Sequence, residues 1–237
     1  VEWCKPLNRD ETFPEGKWKF DEAVTEVFDN MLERSIPDYD GMRRTTTELA
    51  VRYAKPQTAI IDLGCSRGAA LKPIYKILGD SVSYFGIEVS EPMRNAAKSE
   101  IPFATILDTD LRTSYPPIGA SVTLSVLTLQ FIPIEYRQQI IQRVFDTTIQ
   151  GGAFLLVEKV LGSDSFTNQM LIETYLNRKG QNGYTAEQIQ RKRESLEGVL
   201  VPVTADWNVQ LLRSAGFRNV ECYWRHLNFA AWIGFKN

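Results

Sequence analysis

Histidine is almost missing from this chain of 237 residues: His226 stands alone. A histidine-rich metal centre is thereby excluded, and any serine or cysteine hydrolase would have to move its protons through that single ring. Cysteine is nearly as scarce. Cys4, Cys65 and Cys222 are odd in number and scattered, which suits neither a disulfide framework nor a cysteine-type zinc site. There is no basic excess: 27 Lys and Arg face 29 Asp and Glu. No global positive field gathers nucleic acid, and no direct nucleic-acid partner is expected. The apolar runs, such as that within 152–160, fall far short of the roughly 20 residues of a membrane span, and no cationic stretch leads into an apolar one at the start. The expectation is a cytoplasmic protein with neither metal nor membrane contact.

What is present is 43% hydrophobic residues and 24% charged ones, enough apolar material for one large core. Without repeats or a polar linker, the chain reads as one domain over 18–237 behind a flexible arm at 1–17. Val24, Val27, Phe28, Met31 and Leu32 recur at helical spacing after the capping residue Asp21, and Pro37 ends that helix. A second helix runs from about Gly41 to Tyr53. The period then changes. Thr58 to Leu63 is short, β-branched and apolar, which suits a strand covered on both faces. Further strands are expected at Ser83 to Glu88, Phe103 to Leu107, Ser121 to Leu127 and Ala153 to Val160, with helices between them. A helical insertion at about 164–200, with helices at Phe166 to Tyr175 and Thr185 to Leu196, is placed to act as a lid. A helix from Asp206 to Ala215 and two closing strands, Asn219 to Trp224 and Asn228 to Phe235, complete the pattern, the strands as a hairpin at the sheet edge. The fold class is α/β: a Rossmann-like, seven-stranded, mostly parallel sheet with helices on both faces and an N-terminal helical extension.

Such sheets bind ligands beyond the carboxyl ends of their strands. There the sequence places Asp62-Leu63-Gly64-Cys65-Ser66-Arg67-Gly68, and Glu88 at the tip of the second strand. A glycine turn admits backbone amides to a ligand, and the carboxylate accepts ribose hydroxyls. Asp108 and Asp110 are candidates for the adenine amino group. The glycine spacing is not that of a dinucleotide loop, and Asp62 would repel a pyrophosphate but welcome a sulfonium, so S-adenosylmethionine is favoured. Gly64 to Gly68 also spells the G-x-S-x-G of a hydrolase elbow, with Ser66, Asp206 and His226 in hydrolase order. The helices expected before it, and a Glu88 without a task, oppose that alternative.

Trp18-Lys-Phe20-Asp21-Glu22-x-Val24, Arg34-Ser35-x-Pro37-x-Tyr39, Asp62 to Ala70, Thr128-Leu-Gln-Phe131, Asn182-Gly-Tyr184 and Lys192-Arg193-x-x-Leu196-Glu197-x-Val199 together resemble the carboxy-S-adenosylmethionine synthase family, a branch of the class I S-adenosylmethionine-dependent methyltransferases. The resemblance runs from about Trp18 to Phe235. It implies a homodimer, and cofactor contacts at Tyr39, Gly64, Cys65, Ser66, Glu88, Asp110 and Leu111; Gly68 belongs to the same loop. It implies that Arg193 holds the added carboxylate, although on its own Arg193 reads as part of a solvated helix face. Arg193 and Tyr39 are the candidate catalytic residues. Two positions depart from the family pattern: Glu88 replaces an aspartate and keeps its role, whereas Val126 replaces an asparagine and can make no side-chain hydrogen bond. On that ground the primary expectation is transfer of an ordinary methyl group to a small acceptor. The alternative is carboxy-S-adenosylmethionine synthesis, with prephenate as carboxyl donor, in a pathway that modifies the wobble uridine of tRNA.

Overall fold

Five consecutive buried residues, Ala59–Leu63, form strand β1 at the centre of the sheet. The computed structural model describes residues 10–11 and 16–237. In it, helices α1 (Glu22–Ser35) and α2 (Tyr39–Tyr53) precede β1, and α3 (Leu71–Leu78), β2 (Ser83–Ile87), α4 (Glu91–Glu100), β3 (Thr105–Leu107) and β4 (Ala120–Val126) follow it. Then come α5 (Ile134–Thr147), β5 (Thr148–Leu161), α6 (Ser165–Gln181), α7 (Ala186–Leu196), β6 (Val203–Thr204), α8 (Ala205–Ala215), β7 (Arg218–His226) and β8 (Phe229–Phe235). The strand order is β3-β2-β1-β4-β5-β8-β7, with the two-residue β6 paired to the end of β5. All pairs are parallel except the two that β8 makes with β5 and β7.

Alternation along the strands splits the core into two layers. Ile61, Leu63, Phe154 and Leu156 face α5 and α8, where Ile140, Val144 and Leu212 meet them. Ile60, Val122, Leu124 and Leu155 face the other side, with Leu71 and Ile74 of α3 and Ala50 of α2. Because β1 pairs with both β2 and β4, the chain reverses its direction of travel there, which opens a crevice at the strand ends. A smaller cluster of Trp18, Val24, Phe28 and Met31 packs α1 onto Met93 of α4, onto Leu196 at the end of α7 and onto Val199 just after it.

Three expectations need correction. β5 begins at Thr148 rather than Ala153: Gly151, at φ 72°, carries the chain through a register shift that a larger residue would resist, so the glycine pair lies inside the strand. The helix α6 extends six residues past Tyr175, to Gln181. Among the described residues the sheet has eight strands once β6 is included. The closing strands form an antiparallel hairpin at the sheet edge, as expected, with β7 outermost and β8 between it and β5. The arm expected at 1–17 lies mostly outside the described residues; Asp10 within it is buried.

Candidate active site

The turn after β1 is held by its own backbone. Gly64 has φ 66°, and a Cβ there would sit 2.5 Å from the Thr128 methyl, so the turn requires glycine. The Cys65 N–H donates to Ile87 O at 3.0 Å, tying the loop to β2. The Ser66 N–H donates to Glu88 Oε2 at 3.0 Å, and the Ser90 N–H to Glu88 Oε1 at 2.8 Å. One carboxylate thus clamps two loops at neighbouring strand tips, and its remaining lone pairs stay available to a ligand. Burial raises the Glu88 pKa, with those two amides pulling it back. Ser66 (φ 48°) and Leu127 (φ 60°), at the exits of β1 and β4, both hold left-handed backbone that side chains disfavour.

A cavity of about 480 Å³ opens at these strand ends. Gly64, Cys65 and Ser66 line it from the β1 turn, Glu88 from beyond β2, Asp110 and Leu111 from the loop after β3, Val126 from the end of β4 and Tyr39 from α2. Asp110 is held by Arg112, whose guanidinium donates to both carboxylate oxygens and lowers the Asp110 pKa, so it faces the cavity as an ionised acceptor. Asp62 also lines the wall; burial pushes its carboxyl up to about 7 against the opposing charge of Arg43. Burial raises the Tyr39 phenol as well, and Arg43 lies over its ring at 5.9 Å. Burial beside Asp62 and Glu88 raises the Cys65 thiol, keeping it protonated and unsuited to nucleophilic attack.

Three predicted residues are not on the wall. Asp108 points to solvent and pairs with Arg94 at 3.0 Å, leaving Asp110 as the acid of that loop that faces the cavity. Gly68, at φ 83°, gives its space to the Ile101 side chain, so it serves the packing of the turn against the end of α4. Arg193 is exposed on α7, while its neighbour Lys192 is buried and lines the cavity. The hydrolase constellation is not assembled either: His226 Nε2 is 2.7 Å from an Arg178 nitrogen, away from the cavity wall that carries Ser66, and Asp206 sits in the first turn of α8.

The sequence reading passed over Lys159, Lys179 and Lys192, all of which line the cavity from β5, α6 and α7. A signal for the first was present: Glu158-Lys159 interrupts an apolar strand, where a charged pair needs a reason. Glu158 has a structural one, accepting the Leu129 and Gln130 amides at 2.9 and 2.8 Å in the turn after β4. Tyr175 and Lys179 of α6 and Lys192 and Leu196 of α7 all line the cavity. Among the described residues no cluster of His, Cys, Asp or Glu could hold a metal ion, and no helix is long and apolar enough to cross a membrane.

No protein-family model matches the chain. It is 36% identical over 242 residues to the carboxy-S-adenosyl-L-methionine synthase of Methylococcus capsulatus, covering 97% of this chain and all of that one. It is 34% identical over 226 residues to the synthase of Nautilia profundicola, covering 94% and 96%. Among solved structures, an O-methyltransferase family protein from Burkholderia thailandensis superposes with a TM-score of 0.67 at 18% identity, over 92% of this chain and 61% of that one. The plantazolicin methyltransferase BpumL, solved with SAH, gives 0.66 at 15% identity over 92% of both. These structures share the fold, and the synthases share the sequence along nearly its whole length. The chain therefore belongs to the carboxy-S-adenosyl-L-methionine synthase family and has the fold of the methyltransferases on which it superposes.

Proposed function

We propose that this protein carboxylates S-adenosylmethionine, with prephenate as the carboxyl donor, rather than transferring a methyl group to another acceptor. The observation that carries this reading is the near-complete alignment with the synthases. The residues fit the nucleoside: Glu88 would accept its ribose hydroxyls, Asp110 its adenine amino group, and the Gly64 to Ser66 backbone would border the amino-acid end. Asp62, on the same wall, is a carboxylate suited to a cationic ligand. When bound, the sulfonium supplies an activated carbon next to positive sulfur. The chain's own task is then to align the reactants and exclude water, which needs little side-chain chemistry and suits a protein with one histidine.

Val126 favours the methyltransferase alternative, because it offers no hydrogen bond where the family pattern has asparagine. Lys159 offsets that loss: it lies two residues beyond Val157, the partner of Val126 across β4 and β5, and brings a cation to the same cavity. Tyr39 borders the reacting end in this reading. Arg193 is proposed to neutralise the new carboxylate; from its exposed position it must swing inward, toward Lys159, whose pKa its charge already depresses. A homodimer in a cytoplasmic setting completes the reading, and light scattering of the purified protein tests the dimer. The deciding experiment is mass spectrometry of the product formed from S-adenosylmethionine and prephenate. A nucleoside heavier by the mass of carbon dioxide is expected; S-adenosylhomocysteine with a methylated acceptor would restore the alternative.

A further inference from the structure

Three ammonium groups alternate with aromatic rings along the part of the cavity wall built by β5, α6 and α7. Lys159 Nζ lies 4.7 Å from the Tyr175 ring centre and Lys179 Nζ 5.7 Å from the same ring. Lys179 also stands 4.8 Å from the Tyr184 ring, which Lys192 approaches at 5.1 Å. Lys192 has a carboxylate partner, Asp10, which also accepts the Tyr184 hydroxyl. Among the described residues no acid forms a salt bridge with Lys159 or Lys179. Yet Lys179 is only 6% exposed.

The rings attract these cations without neutralising them. Lys179 feels Lys192, Lys159 and Arg34 against the single charge of Asp10, and Lys159 feels Arg193. Burial and that crowding pull Lys179 down to about 7 and Lys159 to about 8. A cation held away from water without a salt-bridged carboxylate is costly, and a cavity walled by the buried Lys179 and the half-buried Lys159 is matched by an anion. The two ammoniums share Tyr175, whose ring packs on Phe229 at 5.6 Å. The complement is thus a compact apolar body carrying two negative groups.

We infer that Lys159 and Lys179 form an anion subsite that holds the carboxylates of a small, largely apolar dicarboxylate, the second substrate of the reaction. The identity of that substrate rests on the carboxylation reading; the anion chemistry does not. Anion binding restores the lysine protons, so binding near pH 8 is accompanied by proton uptake. Tyr175 and Tyr184, held above the ordinary phenol range by burial, stay neutral and do not contribute.

Calorimetric titration of prephenate, and separately of malonate, into protein saturated with S-adenosylhomocysteine at pH 8 tests this, run in two buffers of different ionisation enthalpy. Wild type is expected to bind with net proton uptake. Lys159→Met and Lys179→Met are expected to weaken binding roughly 10- to 100-fold while leaving the affinity for S-adenosylhomocysteine intact, which shows that they fold. Lys179→Arg should keep the affinity and lose much of the proton uptake. Unchanged anion affinity in both Met variants overturns the subsite. If carboxy-S-adenosylmethionine never forms and prephenate fails to bind, but malonate binds in a lysine-dependent way, the carboxylation reading falls and the subsite stands. If the product forms with an unaltered donor KM in both Met variants, the subsite falls and the reading stands.

Discussion

Glu88 takes one N–H from each of two loops, so its removal does more than delete the proposed ribose contact. Glu88→Ala frees the Ser66 amide and loosens the turn; the expected weakening of S-adenosylhomocysteine binding is roughly 10- to 100-fold, corresponding to a charged hydrogen bond, as measured by calorimetry. Glu158 plays the matching part in the protein interior. Glu158→Ala leaves two backbone donors, Leu129 and Gln130, without their acceptor and should cost about 1–3 kcal/mol in urea unfolding. Burial raises its folded pKa to about 8, above the unfolded value of about 4.3. Its proton-linked stabilisation is therefore complete below the unfolded value and lost as pH rises through about 8. The stability advantage of wild type over Glu158→Ala should shrink between pH 5 and pH 8, read as converging urea midpoints. At this scale the sequence announced Glu88 and the glycine turn, because their roles depend on position along one βαβ unit. Nothing local marked Lys179: its helix α6 packs against the end of α1 and the β7–β8 hairpin, and one charge on a helix looks solvated until that packing is known. Asp108 and Asp110 were equally eligible in sequence, and only Arg94 and Arg112 separate them.

Elements position these side chains, and two of them can be loosened selectively. Gly64→Ala places a methyl group against Thr128 in left-handed backbone, which costs about 1–2 kcal/mol for the conformation alone; a lowered melting temperature together with lost nucleoside binding is expected. The helix α7 starts with a capping box in which Thr185 accepts the Gln188 amide and Gln188 accepts that of Thr185. Thr185→Ala should cost about 1 kcal/mol. Because α6 and α7 lie outside the central sheet, that cost should appear as faster hydrogen exchange in these two helices with little change in the central strands. Helices and strands were legible through apolar period, and the cap Asp21 through residue type. The early start of β5 was not, since the glycine pair reads as a break unless the bulge opposite Ala120 is known.

At the scale of the whole molecule, the cavity draws walls from both ends of the chain, Trp18 to Phe229, so a bound nucleoside braces nearly every layer. S-adenosylhomocysteine at 100 times its Kd should add about 2.7 kcal/mol, raising the melting temperature by roughly 5–10 °C for a chain of this size; a thermal scan against ligand concentration reads it. The parallel half of the sheet could be foreseen because strand and helix alternate in order. The place of β8 could not, because hairpin connectivity is the same whether the final strand lies outside or inside its partner. That inside placement carries a cost during synthesis. Until residues 229–235 emerge from the ribosome, one flank of β5 keeps its backbone donors and acceptors bare beside Phe154, Leu155 and Leu156, an invitation to intermolecular strand exchange that the nascent chain must outlast.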